Sequence, residues 1–156
     1  MKQMHIKELA AFLDEANKNS YASKDAPKAS SSRLKSEDYH FEKDNLIYHD
    51  TYFGERDFIG EEVIYKDGVP VWGMNYYGYV LEQSQSEKEV YDFLRKALIQ
   101  EYDDVIPVRG AKNYKEGGWE YHNAPDGTLK RFTGVETIYR DSKLVYRADY
   151  HGGLIK

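Results

Sequence analysis

The chain has 156 residues, with 22 Lys and Arg against 27 Asp and Glu, a net charge of −5, and no cysteine. This length suits one domain, and the mild acidity argues against a dedicated nucleic-acid binder because phosphate backbones attract basic surfaces. The lack of cysteine excludes a disulfide framework and thiol catalysis, while 15 Tyr, 6 Phe and 2 Trp suit both β-strands and the walls of a ligand pocket.

The first predicted element is a helix over residues 7–16, "KELAAFLDEA", in which Leu9 and Leu13 share an apolar face. Charged residues interrupt this N-terminal stretch, so it is not a signal peptide, and no apolar run reaches the length of a membrane span. We therefore expect a cytoplasmic protein without a membrane partner. Residues 17–37 are rich in Ser and Lys without periodicity, which predicts a long mobile loop.

Strands and a second helix follow this loop. Strands are predicted at 38–43, 46–53, 58–66 and 69–80, and later near 118–124, 129–140 and 143–151. Asp67-Gly68 predicts a two-residue type I′ turn, since both residues tolerate positive φ. Pro70 indicates a sheet edge or a backbone position without a ladder hydrogen bond. The second helix covers 88–97, with a capping box formed by Ser86 and Glu89.

The chain contains an internal repeat. Residues 58–81 align without a gap to 132–155, with nine identities in 24 positions. The two helices also match each other in register. The sequence thus predicts two copies of one unit, about 1–81 and 82–156, each too small to bury its own faces. We expect an α+β fold: one domain over 1–156, a pseudo-twofold pair of helix-plus-antiparallel-strands units, with both helices on one face of a curved antiparallel sheet.

Counting outward from the Asp67-Gly68 turn gives a predicted register for the hairpin. Glu62 is then opposite Gly73, Gly60 opposite Asn75, and Phe58 opposite Tyr77. The other face is expected to pack beneath the helices, and its residues are Ile59, Val63, Tyr65, Trp72, Met74 and Tyr76.

The matching hairpin of the second half differs in one respect. The same count places Glu136 opposite Arg147 and Phe132 opposite His151. Glu136 is therefore expected to have a cross-strand partner, whereas Glu62 faces only a glycine. An unpartnered carboxylate on a concave, half-apolar face suits a cationic or hydrogen-bond-donating ligand. The alternative is an exposed Glu62 that pairs with a loop lysine.

The predicted ligand-binding site is centred on Glu62. Its candidate residues come from both hairpins, from the strand 46–53 and from the "SSSR" segment (30–33): Glu62, Asn75, Tyr77, Phe58, Trp72, Tyr52, Arg33, Glu136, Arg147 and His151.

Other chemistry has weaker support in the sequence. His49 and His122 hold matching strand positions, and Asp149 with His151 could form an oriented general base. No spacing typical of a metal site and no nucleophile motif is present, so we assign no catalytic residue, no metal and no cofactor.

Three strings carry a family resemblance: "DTYFG" (50–54), "GEEVIYKDGVPVWGMNYYG" (60–78) and "HGGLIK" (151–156), with "SSR" (31–33) belonging to the same pattern. They resemble a bacterial family of unknown function whose members occur alone or behind an XRE-type helix-turn-helix. The resemblance implies a sensor or dimerisation context but no activity. By architecture alone, the duplicated unit is similar to the strand-helix-strand-strand repeat of GyrI-like effector domains, which bind drug-like cations in acidic, aromatic pockets.

The leading hypothesis is a non-catalytic small-molecule-binding module of the sensor or effector type, with a cation as the favoured ligand. One alternative is a hydrolase or isomerase that uses the strand His and Asp residues. Another is a dimerisation or protein-interaction domain that forms a homodimer. Direct nucleic-acid binding is not expected, because residues 1–37 contain a single helix.

Overall fold

The computed structural model describes residues 4–82, 86–100 and 108–156. These residues form the helices α1 (Ile6–Lys18) and α2 (Glu87–Leu98). They also form eight strands: β1 (Glu37–Lys43), β2 (Leu46–Gly54), β3 (Asp57–Lys66), β4 (Val69–Val80), β5 (Asn113–Glu116), β6 (Trp119–Thr128), β7 (Arg131–Arg140) and β8 (Lys143–Leu154). The fold is α+β, as predicted.

The eight strands form one open antiparallel sheet in the order β1-β2-β3-β4-β8-β7-β6-β5. From one edge inward the strands are β1 to β4, and from the other edge inward they are β5 to β8. The strands β4 and β8 pair in the middle of the sheet, where Tyr76 is opposite Tyr150. Each group of four strands follows a helix. A GyrI-like unit begins with a strand instead, so that analogy is not confirmed.

Both helices pack their apolar stripes on the same face of the sheet. From α1, Leu9 and Leu13 are fully buried in a cluster with Trp72. From α2, Leu94 joins a second cluster with Tyr146. The predicted capping box of α2 is half confirmed, because the backbone N–H of Glu89 donates to Ser86 Oγ at 3.3 Å. This face, called the helix face below, carries the main core.

The segment predicted as a mobile loop, 17–37, includes the last turn of α1 and then runs irregularly to β1. Ser20, Ala22 and Ser36 within it are buried. The N–H of Ala29 donates to the carbonyl of Asp38 at 2.8 Å, which ties the segment to the edge strand. The segment therefore covers part of the sheet, while its mobility stays a prediction.

The predicted hairpin turn is present, but the predicted register is wrong. Asp67 and Gly68 both have positive φ, 52° and 77°. Lys66 pairs with Val69, and the register then shifts by one residue at a β-bulge between Ile64 and Tyr65. Glu62 consequently pairs with Met74 instead of Gly73, Gly60 with Tyr76 instead of Asn75, and Phe58 with Gly78 instead of Tyr77.

The second hairpin has the same shift at the matching place, between Ile138 and Tyr139. Glu136 therefore pairs with Ala148, not with Arg147, and Phe132 pairs with Gly152, not with His151. The predicted ion pair between Glu136 and Arg147 does not form.

The bulge has a physical reason in side-chain burial. A one-residue slip transfers every β4 side chain to the other face of the sheet. With the bulge, Trp72, Met74 and Tyr76 join Ile64 on the helix face, and all four are buried. The predicted apolar face is thus divided, and Ile59 is left 56% exposed on the other side, called the outer face below.

Pro70 lies beside this bulge in a central strand. Its position is beyond the pairing of β4 with β8, which begins at Trp72, so its missing N–H breaks no ladder hydrogen bond there. Gly60 has a packing role in this hairpin. A Cβ at Gly60 would lie 2.3 Å from the Tyr76 hydroxyl, so the glycine makes room for this tyrosine ring.

Candidate functional site

A cavity of about 430 Å³ opens on the helix face in the N-terminal half of the sheet. It is lined by the end of α1, by α2 and by strands β2, β3 and β4. Its walls include four aromatic side chains, Tyr21, Tyr52, Phe58 and Tyr91. Its polar base is formed by Tyr48, Asp50, Glu62, Tyr76 and Arg109. This volume is in the range of small-molecule sites.

Two carboxyl groups lie side by side in the base of the cavity. Asp50 on β2 is directly opposite Glu62 on β3, and the two are only 3% and 6% exposed. Burial raises the pKa of Glu62 to about 7, against the opposing effects of the Arg109 charge and a hydrogen bond with Tyr48. Burial and the neighbouring Glu62 charge raise the pKa of Asp50 well above its usual value. The Tyr76 hydroxyl donates to Asp50 Oδ1 at 2.5 Å.

Glu136, at the matching position of β7, has a very different environment. It is fully buried, and Arg109 donates to it twice, from Nη2 to Oε1 at 2.8 Å and from Nε to Oε2 at 3.2 Å. The hydroxyls of Tyr121 and Tyr146 donate to the same carboxylate at 2.6 and 2.7 Å. The four hydrogen bonds satisfy both oxygens of this buried side chain, and the guanidinium supplies its counter-charge.

The residue opposite Glu136 on the adjacent strand is neutral, whereas the residue opposite Glu62 is acidic. Asn123 is directly opposite Glu136 in the β6–β7 pair, as Asp50 is opposite Glu62. Tyr150 donates to Asn123 Oδ1 at 2.5 Å, just as Tyr76 donates to Asp50. The two halves thus share a hydrogen-bonding scaffold and differ in its charge.

Arg109 reaches Glu136 from an irregular segment that enters the core. Its φ is 63°, a left-handed conformation that a non-glycine residue adopts rarely. The Asn123 amide holds the segment in place by donating to the carbonyls of Val108 and Gly110 at 3.1 and 2.9 Å. The guanidinium carbon also lies 5.3 Å from the centre of the Tyr76 ring, so Arg109 connects both acidic positions.

The structure brings together only part of the predicted site. Glu62, Phe58 and Tyr52 line the cavity, and Glu136 lies behind Arg109. Trp72 is in the core, where its indole N–H donates to the Leu129 carbonyl at 3.0 Å.

The remaining predicted site residues do not reach the cavity. Because of the bulges, Asn75, Tyr77, Arg147 and His151 lie on the outer face. Arg147 pairs there with Asp149 on its own strand at 2.9 Å. Arg33 is exposed, 3.4 Å from Glu61.

Sequence reasoning missed several residues of the base, above all Asp50, Tyr76 and Arg109. A signal existed for Asp50, since the similar strings "YHD" (48–50) and "YHN" (121–123) precede the two repeated hairpins and differ only in their last residue, Asp50 against Asn123. No comparable signal marks Arg109, which lies outside the aligned repeat. The suggested base Asp149 has its pKa lowered by the hydrogen bonds from Arg147. Among the described residues, no group of three His, Asp or Glu side chains is placed to hold a metal ion.

Fold and site together define an α+β protein in which two helices cover one antiparallel sheet and an acidic, aromatic-walled cavity opens between them. The chain matches the model of a family described as "Domain of unknown function (DUF5680)" over residues 50–155 and belongs to that family. The expected membership in a family of unknown function is thereby confirmed. No curated protein and no solved structure matches the chain. Within the described residues, no helix is long and apolar enough to cross a membrane.

Proposed function

We propose that this protein is a non-catalytic binding module of the sensor or effector type, and that its ligand is a small organic cation held beside Glu62. The observation that carries the proposal is the contrast between two buried acids. Glu136 is closed off by a guanidinium, whereas Glu62 borders a cavity with a second carboxyl group beside it. A buried acid that borders a cavity and has no bound guanidinium is a natural counter-charge for a cationic ligand.

We further infer that the two halves arose from one duplicated unit, which makes their comparison chemically informative. The mirrored strand order, the Tyr76–Tyr150 pair and the two matching bulges support this inference. In the second half, a flat guanidinium forms two hydrogen bonds to Glu136. Glu62 itself lines the cavity, so a guanidinium, amidinium or protonated amine is the favoured ligand head group.

The walls indicate what the rest of the ligand resembles. Four aromatic rings offer both apolar surface and π-faces, and a cation over such a face gains about 0.5–2 kcal/mol. An aromatic or amphipathic body attached to the cationic head therefore fits this cavity best. Since the pKa of Glu62 is raised to about 7, binding of a cation at that pH is expected to release a proton.

A thermal-shift screen tests the proposal. Aromatic amidines and amphipathic ammonium compounds are compared with uncharged molecules of the same shape at pH 8, where Glu62 is ionised. A cation at 100 times its dissociation constant adds about 2.7 kcal/mol of stability. Glu62→Gln should abolish this stabilisation, and Glu61→Gln, the neighbouring change on the outer face, should preserve it. Equal stabilisation of wild type and Glu62→Gln, or equal effects of neutral and cationic molecules, would contradict the proposal.

A second candidate function, general acid–base catalysis, is favoured by one observation. A carboxyl group with a pKa of about 7, beside another carboxyl in a cavity, is suited to proton transfer near neutral pH. Mass spectrometry of each screening hit after prolonged incubation distinguishes the two functions. An unchanged compound supports binding, and a converted compound, with conversion lost in Glu62→Gln, supports catalysis.

The outer face supports a homodimer as a further candidate. Ile59 and Tyr77 are directly opposite each other on β3 and β4 and are 56% and 47% exposed, which forms a small apolar patch. Light scattering after size exclusion tests this candidate. A dimer that dissociates in Ile59→Lys would support it, and a monomer at high concentration would contradict it.

A further inference from the structure

A pair of histidines on the outer face, on the opposite side of the sheet from the cavity, has the geometry of a metal chelate. His40 on β1 is directly opposite His49 on β2. His49 lies between Tyr48 and Asp50, whose side chains line the cavity, so its own side chain is on the other face. The Nδ1 atoms of the two imidazoles are 3.2 Å apart.

The second nitrogen of each ring is engaged by a carboxylate. His40 Nε2 lies 2.7 Å from Glu42 Oε1, and His49 Nε2 lies 2.6 Å from Asp38 Oδ2. A carboxylate accepts the hydrogen bond in each of these contacts, so Nε2 is the donor, and in the neutral form of each ring the lone pair is then on Nδ1. The two Nδ1 atoms thus face each other at a distance where a proton or a metal ion bound between them offsets the repulsion of their lone pairs.

Asp38 is suited to fixing the tautomer of His49. Its side chain is fully buried beneath the segment that precedes β1. Its two oxygens also accept hydrogen bonds from the hydroxyls of Ser32, Ser36 and Thr51. These contacts fix the carboxylate opposite His49 Nε2, where it can only accept a hydrogen bond.

The separation of the two Nδ1 atoms matches that of two ligands of one metal ion. Zinc binds imidazole nitrogen at about 2.0–2.1 Å, and two such nitrogens in tetrahedral geometry lie about 3.3 Å apart. A carboxylate on the far nitrogen is the usual second interaction of a metal-bound histidine. The histidine side chains are 37% and 27% exposed, so the remaining coordination positions open to solvent.

We propose that His40 and His49 bind a divalent transition-metal ion of the zinc and copper class through their Nδ1 atoms, with water as the other ligands. Because the described residues offer no third protein ligand at this place, the binding is reversible and the ion is exchangeable. The site is independent of the cavity, and its failure would leave the proposed cation binding untouched.

The second half of the chain contains a matched control. There Asn113 is opposite His122, in the register that places His40 opposite His49. His122 Nδ1 lies 2.8 Å from Asn113 Oδ1, so an amide replaces one imidazole and no lone-pair conflict arises. The substitution His40→Asn therefore reproduces a pair that this sheet already accommodates.

Calorimetric titration of the chelator-treated full chain with ZnCl₂ at pH 7.5 tests the proposal, with MgCl₂ as the oxygen-preferring comparison. We expect one equivalent of Zn²⁺ and no response to Mg²⁺. His40→Asn should weaken Zn²⁺ binding at least tenfold, Glu42→Gln by roughly tenfold, and His122→Ala not at all. Imidazole ¹⁵N spectra should show the Zn²⁺-induced shift at Nδ1 of both histidines.

Three results would overturn the metal site. The first is the absence of Zn²⁺ binding at millimolar concentration, which would assign the pair to a shared proton. The second is unchanged affinity in a folded His40→Asn variant. The third is an equal loss of affinity in His122→Ala, which would show that Zn²⁺ binds elsewhere.

Discussion

Replacing Glu62 with Gln is expected to stabilise the protein at neutral and alkaline pH, although it removes a residue of the candidate site. The folded-state pKa of Glu62 is raised from 4.5 to about 7 by burial. Below pH 4.5 the carboxyl is protonated in both the folded and the unfolded chain, so its ionisation does not change the free energy of unfolding. Between pH 4.5 and 7 only the unfolded chain releases the proton, and the free energy of unfolding falls as the pH rises.

The size of this loss follows from the two pKa values. Each pH unit between them is worth about 1.4 kcal/mol, so the loss above pH 7 is roughly 3 kcal/mol. Gln has a similar shape, does not ionise, and removes the charge that faces Asp50. The variant should therefore equal the wild type near pH 4.5 and exceed its free energy of unfolding by roughly 3 kcal/mol at pH 8.

Urea unfolding at several pH values between 4.5 and 8 measures the difference, with the fluorescence of the fully buried Trp72 as the signal. Glu61→Gln, on the outer face, is the matched control and should change stability by less than about 0.5 kcal/mol. A wild-type-to-variant difference that stays constant across this pH range would refute the reasoning, because it would mean that Glu62 does not titrate as a buried acid.

Two further changes probe the same network. Arg109→Met should lower the free energy of unfolding, measured with urea, by about 3–5 kcal/mol, because the buried Glu136 loses its guanidinium partner. The double variant Arg109→Met/Glu136→Gln should recover most of this loss. Additive losses in the double variant would contradict the pairing. Tyr76→Phe should cost about 1–2 kcal/mol and raise the pKa of Asp50 further. Tyr150→Phe, whose acceptor is an amide, should change stability without altering its pH dependence, and a similar pH effect in both would argue against the assignment.

Local sequence signals predicted the elements well because those signals are local in origin. The bounds of β1 to β4 agree with the predicted strands to within one residue, since alternation and the Asp67-Gly68 turn mark them directly. The strand β5 was missed. It has four residues, three of them exposed, and so carries no burial pattern from which it could be recognised.

The register was not predictable by counting from the turn, because the bulge depends on which face the helices cover. Pro70 beside the shift is a suggestive signal, yet Leu144 holds the same position in the second hairpin and the shift is there as well. The bulge is therefore a property of the packed sheet. It is favoured where it brings Trp72 and Ile64, or Tyr146 and Ile138, to one buried face.

The sequence indicated that the two matching acids differ in their environment, but it did not indicate the residue that binds Glu136. The different environments of Glu62 and Glu136 were predicted, but the wrong partner was assigned to Glu136. Its true partner, Arg109, comes from an irregular segment, and only the tertiary structure places it beside β7. Long-range ion pairs of this kind leave no periodic trace in a sequence.

The acidic pair is a cost that the fold does not require. The second half builds the same tyrosine-bridged scaffold with Asn123 in place of Asp50 and with a guanidinium on the remaining acid. That arrangement avoids two facing buried carboxyls, whereas in the first half the burial of Glu62 lowers the free energy of unfolding by roughly 3 kcal/mol at neutral pH. A loss of this kind is typical of functional sites, where stability is lower than the scaffold permits. Glu62→Gln should therefore raise stability and abolish cation binding together, and the proposed function requires both effects in the same variant.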